Sequence, residues 1–187
     1  MCVPIDLQEI QRVRDEADCL MTPQQVDGAI SEVARQITAR LKGENPMVYC
    51  VMNGGLIFAG QLIPKLDFPL EVAYLHATRY GHALTGTFLD WRVRPSHDLK
   101  GRSVLVIDDI LDEGHTLVAI VDHLKSEGAR EVLTAVLINK VHDRKARPGQ
   151  RADFSGLDVE DRYLFGCGMD YKGYWRNLPG IYALKGS

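Results

Sequence analysis

The chain has 187 residues, 45% hydrophobic and 25% charged, with a formal net charge of −3. That length suits one domain with a substantial core, and apolar runs broken by Gly, Asn or Asp exclude a membrane-spanning helix. Dispersed Lys and Arg at this net charge argue against a general nucleic-acid binder or a protein held on an anionic membrane.

The opening MCVPIDLQEI lacks the basic-then-apolar pattern of a secretory signal. Cys2, Cys19, Cys50 and Cys167 are far apart with no C-x-x-C pair, so neither a disulfide framework nor a zinc site is expected, and a reducing cytoplasm is. The first clear element is a helix in TPQQVDGAISEVARQITARLKG. Thr22 is its N-cap, Pro23 suits the first turn and Gln25 completes a capping box. Val26, Ile30, Val33, Ile37 and Leu41 then recur at helical spacing, and Gly43 supplies the stop. MVYCVMNGG reads as a nearly all-apolar strand, with a helix in LIFAGQLIPKL behind it. LEVAYLHATRY is a second strand and VLVIDDI a third; TLVAIVDHLKSEGA is a helix ended by Gly128. EVLTAVLIN is a fourth strand, and RYLFGCGMDY contains a fifth.

Apolar strands alternating with helices predict an α/β fold, with a central, mostly parallel twisted sheet and helices on both faces. Ligands of such sheets bind beyond the C-terminal strand ends. Four ends carry polar or Gly-rich stretches: Asn53-Gly54-Gly55, Asp108-Asp109, Asn139-Lys140 and Met169-Asp170. One site built from all four is the economical reading. Between Arg79 and Arg102 a long Gly- and Pro-containing stretch with little periodicity is either a lid over that site or a loose hairpin.

Chemistry concentrates in VLVIDDILDEGHTL, residues 104–117. A strand passes through Asp108 and Asp109 into a turn with Asp112, Glu113, Gly114, His115 and Thr116, and then into a helix. Backbone N–H groups at 112–116 and the Thr116 hydroxyl could hold a phosphate at the helix start, with Gly114 permitting close approach. The loop is not that of nucleoside triphosphatases, because the second Gly and the Lys are missing. Asp108 and Asp109 point to opposite sides of a strand, so at least one faces the crevice and needs a hydroxyl, metal or cation partner.

This stretch resembles the phosphoribosyl pyrophosphate (PRPP) signature of type I phosphoribosyltransferases. VMNGGLIFAGQL, VLINKVHDR and RYLFGCGMDYKGYWRNLPGIYAL are similar to the hypoxanthine-guanine members, over roughly Pro46 to Leu184. The resemblance implies a single domain over 1–187, with a core at about 40–165, a small hood from the N-terminal segment and about 150–187, and a lid at about 79–102. It implies that Asp112 accepts the N7 proton of the purine, while Asp108 and Asp109 take ribose hydroxyls directly or through metal-bound water. Residues 112–116, Glu113 and His115 among them, take the 5′-phosphate. Asn53, Gly54, Arg79, Tyr80 and Arg176 meet pyrophosphate. Lys140 donates to the 6-oxo group, Tyr163 stacks on the base, and Leu164 and Asp170 meet its edge. Mg²⁺ is the implied cofactor, with Asp108, Asp109 and Asp170 as its protein partners, directly or through water. PRPP and a 6-oxopurine are the implied substrates, with neither nucleic acid nor membrane as partner, and a homodimer or homotetramer is the implied assembly.

Two departures stand out. The family carries Lys or Arg where this chain has Asn53, and Ser where Arg79 precedes Tyr80, so Arg79 is a candidate to restore positive charge over pyrophosphate. The family often has a non-proline cis peptide in the loop at Asn53, and the resemblance makes Met52–Asn53 the candidate position. A strand-end Lys donor favours a 6-oxopurine over adenine, but it does not separate hypoxanthine and guanine from xanthine. A PRPP-binding regulator without catalysis is the reading from another class, and it predicts a basic face that the composition does not offer.

Overall fold

The computed structural model describes residues 5–79 and 89–187. Helix α1 (Leu7–Glu16) leads into strand β1 (Asp18–Met21) and helix α2 (Pro23–Leu41). The predicted capping box is present: Gln25 N donates to Thr22 Oγ1, and Thr22 N donates to the Gln25 side chain at 2.9 Å. All five periodic apolar residues of α2 are buried. Strand β2 (Met47–Val51) precedes helix α3 (Gly55–Leu62) and a 3-10 turn, Ile63–Lys65. Strands β3 (Glu71–Arg79), β4 (Leu89–Val93) and β5 (Ser103–Leu111) follow, then helix α4 (His115–Ser126). Strands β6 (Glu131–Val141), β7 (Phe154–Glu160), β8 (Leu164–Phe165) and β9 (Ile181–Ala183) complete the chain.

The main sheet has six strands in the order β4-β3-β2-β5-β6-β7, with all neighbours parallel except β4 on β3. Because successive side chains of a strand face opposite ways, the central strands feed two cores. Val48, Leu105, Ile107 and Leu137 pack with α2 and α3, whereas Met47, Tyr49, Val104, Val106 and Val136 pack with α4. The α/β architecture with helices on both faces is therefore as the sequence reads.

Three details differ. The stretch between Arg79 and Arg102 is not wholly a loop, because 89–93 form β4 antiparallel to β3; residues 80–88, including Tyr80, lie outside the described residues. The fifth parallel strand is β7. Its Gly156 breaks the apolar pattern because a Cβ there would meet the Leu137 carbonyl oxygen at 2.7 Å. The strand within RYLFGCGMDY is the two-residue β8, which joins a separate antiparallel sheet, β1-β9-β8. This small sheet carries residues 163–176. Helix α1, whose polar sequence hid it, pins that segment: Tyr171 OH and Lys172 Nζ donate to Glu9 Oε1 at 2.6 and 2.7 Å, and Trp175 Nε1 donates to Ile10 O at 2.8 Å.

Candidate active site

Two adjoining cavities open beyond the C-terminal ends of the sheet. The larger, about 550 Å³, is bounded by Asn53 and Gly54 after β2, Asp108 and Asp109 of β5, the 112–116 turn, and Arg176. The smaller, about 210 Å³, is bounded by Lys140, Tyr163, Leu164, Met169 and Asp170. Asp109, Ile110 and Asp112 belong to both walls. A ligand with two joined parts therefore finds two joined compartments.

The turn after β5 is made by Gly114, whose φ of +83° suits a residue without a Cβ. A Cβ there would also lie 2.5 Å from Gln150 Nε2 and 2.6 Å from Leu111 Cδ1. Helix α4 begins at His115 with no side-chain cap, so its first N–H groups and the positive end of its dipole face the larger cavity. His115 Nε2 lies 3.8 Å from Glu113 Oε2.

Asp108 is half-buried and Asp109 buried. Burial, together with their mutual repulsion at Asp108, raises Asp108 well above the carboxylate range; burial also raises Asp109. Among the described residues neither forms an ion pair, and Asp109 N donates to Asp108 Oδ1 at 3.0 Å. Such a pair of hard oxygen donors suits a divalent cation or sugar hydroxyls. Gly54 passes so close that a Cβ would meet Asp109 Oδ2 at 2.4 Å, and a Cβ on Gly168 would meet the Gly54 carbonyl oxygen at 2.1 Å. The peptide Met52–Asn53, the candidate position for a cis bond, is cis.

Lys140, on β6, is buried. Its Nζ donates to Asp112 Oδ2 at 2.9 Å and pairs with Asp161 Oδ1 at 3.4 Å. The other Asp112 oxygen meets His142 Nε2 at 2.8 Å. Arg144 N donates to His142 Nδ1 at 3.1 Å, which assigns the ring proton to Nε2 and makes His142 the donor to Asp112. Desolvation pushes the Asp112 carboxyl up, but hydrogen bonds from Lys140 and His142 outweigh it and hold the group below its usual value. Arg144 donates to Asp161 at 2.6 Å and holds that carboxyl at about 2.

In the smaller cavity Tyr163 is 46% exposed, so its ring face is open to a flat ligand, and its OH donates to the Asp170 carbonyl oxygen at 3.3 Å. Arg176 and Asp170, given separate tasks by the sequence, pair with each other. Arg176 Nη1 also donates to Gly168 O at 2.6 Å, and Asp170 Oδ2 accepts from Gly173 N at 2.6 Å. In this arrangement both Asp170 oxygens are taken by protein donors. The Met169-Asp170 pair lies in a turn bridged by Gly166 and Met169, not at a strand end. Asn139 faces away, donating to Asp158 at 2.8 Å, so only Lys140 of that pair reaches the site. Arg79 ends β3, and its side chain lies outside the described residues.

The sequence reading missed Arg92 of β4, which lines the larger cavity with His76 and Thr78. It also missed His142 and Asp161 beside Asp112. His142 stands two residues beyond Lys140, so the overshoot of β6 past its neighbour was the only available signal. Burial pushes the Cys50 thiol up to about 12 and Cys167 up to about 11, and neither is disulfide-bonded, so both are inert core residues.

The glycine turn at the start of α4, the acidic pair on the preceding strand and the adjoining pocket with a lysine donor thus lie together beyond the strand ends. Residues 21–171 match the phosphoribosyl transferase domain, and the chain belongs to that family. Among curated relatives, the hypoxanthine-guanine-xanthine phosphoribosyltransferase of Tritrichomonas foetus is 32% identical over 185 residues, covering 97% of this chain and 98% of its own. The bifunctional protein TilS/HprT of Listeria innocua is 34% identical over 170 residues, and the match spans 89% of this chain but 26% of that relative's length. A crystal structure of a hypoxanthine phosphoribosyltransferase from Staphylococcus aureus superposes with a TM-score of 0.85 at 26% identity, covering 92% of this chain and 94% of that one.

Proposed function

We propose that this chain transfers the 5-phosphoribosyl group of PRPP to N9 of a 6-oxopurine, hypoxanthine or guanine, releasing pyrophosphate in purine salvage. The observation that carries this reading is Lys140: a buried ammonium on the wall of the smaller cavity, bonded to Asp112 where the two cavities meet. An ammonium donates to a 6-oxo group and opposes the 6-amino group of adenine, which would leave a buried donor unpaired, a penalty that discriminates in favour of the oxo base.

Each residue then has a physical task. The 112–116 amides and the Thr116 hydroxyl hold the 5′-phosphate at the start of α4. Asp108 and Asp109 receive the ribose hydroxyls, and their burial-perturbed carboxylates fit Mg²⁺ as a directly or water-held partner. Mg²⁺ bound there would neutralise charge on the departing pyrophosphate. Asn53, Gly54 and Arg176 border the pyrophosphate region, where Arg79 and Tyr80 are proposed to close over it. Tyr163 stacks on the base and Leu164 meets its edge. Lys140 must leave Asp112 to reach the base oxygen. That exchange frees Asp112 Oδ2 to accept the N7 proton while His142 still orients Oδ1. The bond to N9 forms as the anomeric C–O bond to pyrophosphate breaks, and positioning with charge neutralisation supplies most of the rate.

The chain operates in the cytoplasm as a homodimer or homotetramer under this reading. The test is nucleotide formation from PRPP and Mg²⁺ with hypoxanthine, guanine, xanthine and adenine in turn. Turnover is expected with hypoxanthine or guanine and not with adenine. Absence of turnover with every 6-oxopurine would overturn the assignment.

A further inference from the structure

The segment after β6, residues 145–150, does not line the larger cavity, yet it grips the back of the turn that does. Lys145 Nζ donates to Leu111 O at 2.8 Å and to Asp112 O at 2.7 Å. Ala146 N donates to Glu113 O at 2.7 Å, and Gln150 Nε2 donates to Gly114 O at 3.3 Å. Four successive carbonyls, 111 to 114, are thus turned toward one short segment.

In a trans peptide the N–H points opposite to the C=O. Holding those four carbonyls back therefore directs the N–H groups of Asp112, Glu113, Gly114 and His115 the other way, toward the cavity. The third Lys145 hydrogen reaches Asn139 Oδ1 at 3.4 Å, and buried Asn139 is itself held by Asp158 of β7. All three ammonium donors are used, and the anchor runs into the main sheet rather than into a mobile surface. The ammonium also places a positive charge directly behind the turn.

We infer that Lys145, with Gln150, is a positioning residue that presets the 112–116 turn for a phosphate monoester by binding its carbonyls from behind. The inference rests on the reading of 112–116 as the 5′-phosphate site. A preset amide array needs no reordering when phosphate arrives, so its loss weakens only the phosphorylated ligands.

The test is Lys145→Met, with Thr116→Val as the variant that removes a group expected to touch phosphate directly. Lys145→Met should raise the KM for PRPP about tenfold, the effect of losing hydrogen bonds from a charged group. The KM for hypoxanthine should stay within about twofold, because the base compartment is built elsewhere. Binding of inosine 5′-monophosphate should weaken similarly while binding of unphosphorylated inosine does not change, a split that general destabilisation does not produce. Lys145→Arg, keeping charge and donors, should recover part of the loss. If Lys145→Met does not fold, Gln150→Leu is expected to show the same phosphate-selective loss in smaller degree. Should Thr116→Val weaken PRPP while Lys145→Met and Gln150→Leu leave it unmoved, the positioning role is wrong and the phosphate site stands. Should Thr116→Val also leave it unmoved, the phosphate site itself is wrong.

Discussion

Replacing Lys140 with Met keeps the length of the side chain and deletes its charge. In the free protein the Lys140 side chain is 10% exposed between Asp112, 44% exposed, and Asp161, 32% exposed. These pairs are neither surface contacts nor fully buried ones, so losing both costs about 1–2 kcal/mol of stability, between the two limits. The effect on turnover is larger. A hydrogen bond from a charged donor contributes about 1.5–3 kcal/mol, so kcat/KM for hypoxanthine should fall about 10- to 150-fold. A second consequence concerns pH. Lys140 is one of the two donors that hold Asp112 below its usual value, so removing it lets that carboxyl rise. Asp112 must be ionised to accept a proton, and the acid limb of kcat/KM should therefore move to higher pH in Lys140→Met. Stability follows the same sign: a depressed carboxyl stabilises above its unfolded pKa and loses that contribution as pH falls through the folded value, and the variant has less to lose. Initial rates of nucleotide formation across pH, with urea unfolding alongside, measure all three. A kcat/KM within about threefold of the parent at every pH, with an unmoved acid limb, would refute the assignment of Lys140 to the base oxygen.

Asp112→Asn should cut kcat about 100-fold or more while the KM for PRPP changes little, since it removes a proton acceptor and leaves the backbone amides in place; steady-state kinetics at saturating base reads this directly. Gly54→Ala should cost about 1–3 kcal/mol in thermal unfolding and impair turnover, because its Cβ would overlap the Asp109 carboxylate. Thr22→Ala removes the capping box of α2 and should lower stability by about 1 kcal/mol in urea without changing kcat, as the cap is remote from the cavities.

How much of this was visible in the sequence depended on how local the cause was. The α2 cap, its apolar stripe and the strand-turn-helix at 104–117 are specified within a few residues, and each formed where it was read. Helix α1 and strand β7 were not visible, because α1 is mostly polar and β7 carries Gly156 where the backbone of β6 leaves no room for a Cβ. Asp170 and Arg176 each read as ligand contacts, but their pairing depended on the left-handed turn through Cys167 and Gly168.

The sequence by itself determined the four central parallel strands, helices α2, α3 and α4, the acidic pair and the glycine turn after it, since hydrophobic period, glycine and capping chemistry act between neighbours in the chain. The tertiary structure alone decided which groups meet Asp112 and what holds the turn from behind. Lys140, His142 and Lys145 lie 28, 30 and 33 residues beyond that aspartate in sequence. They arrive because β6 pairs with β5 in a parallel register that aligns Leu111 with Asn139, bringing the two strand ends to the same height. A register is set by the packing of both sheet faces at once, and no single segment carries it.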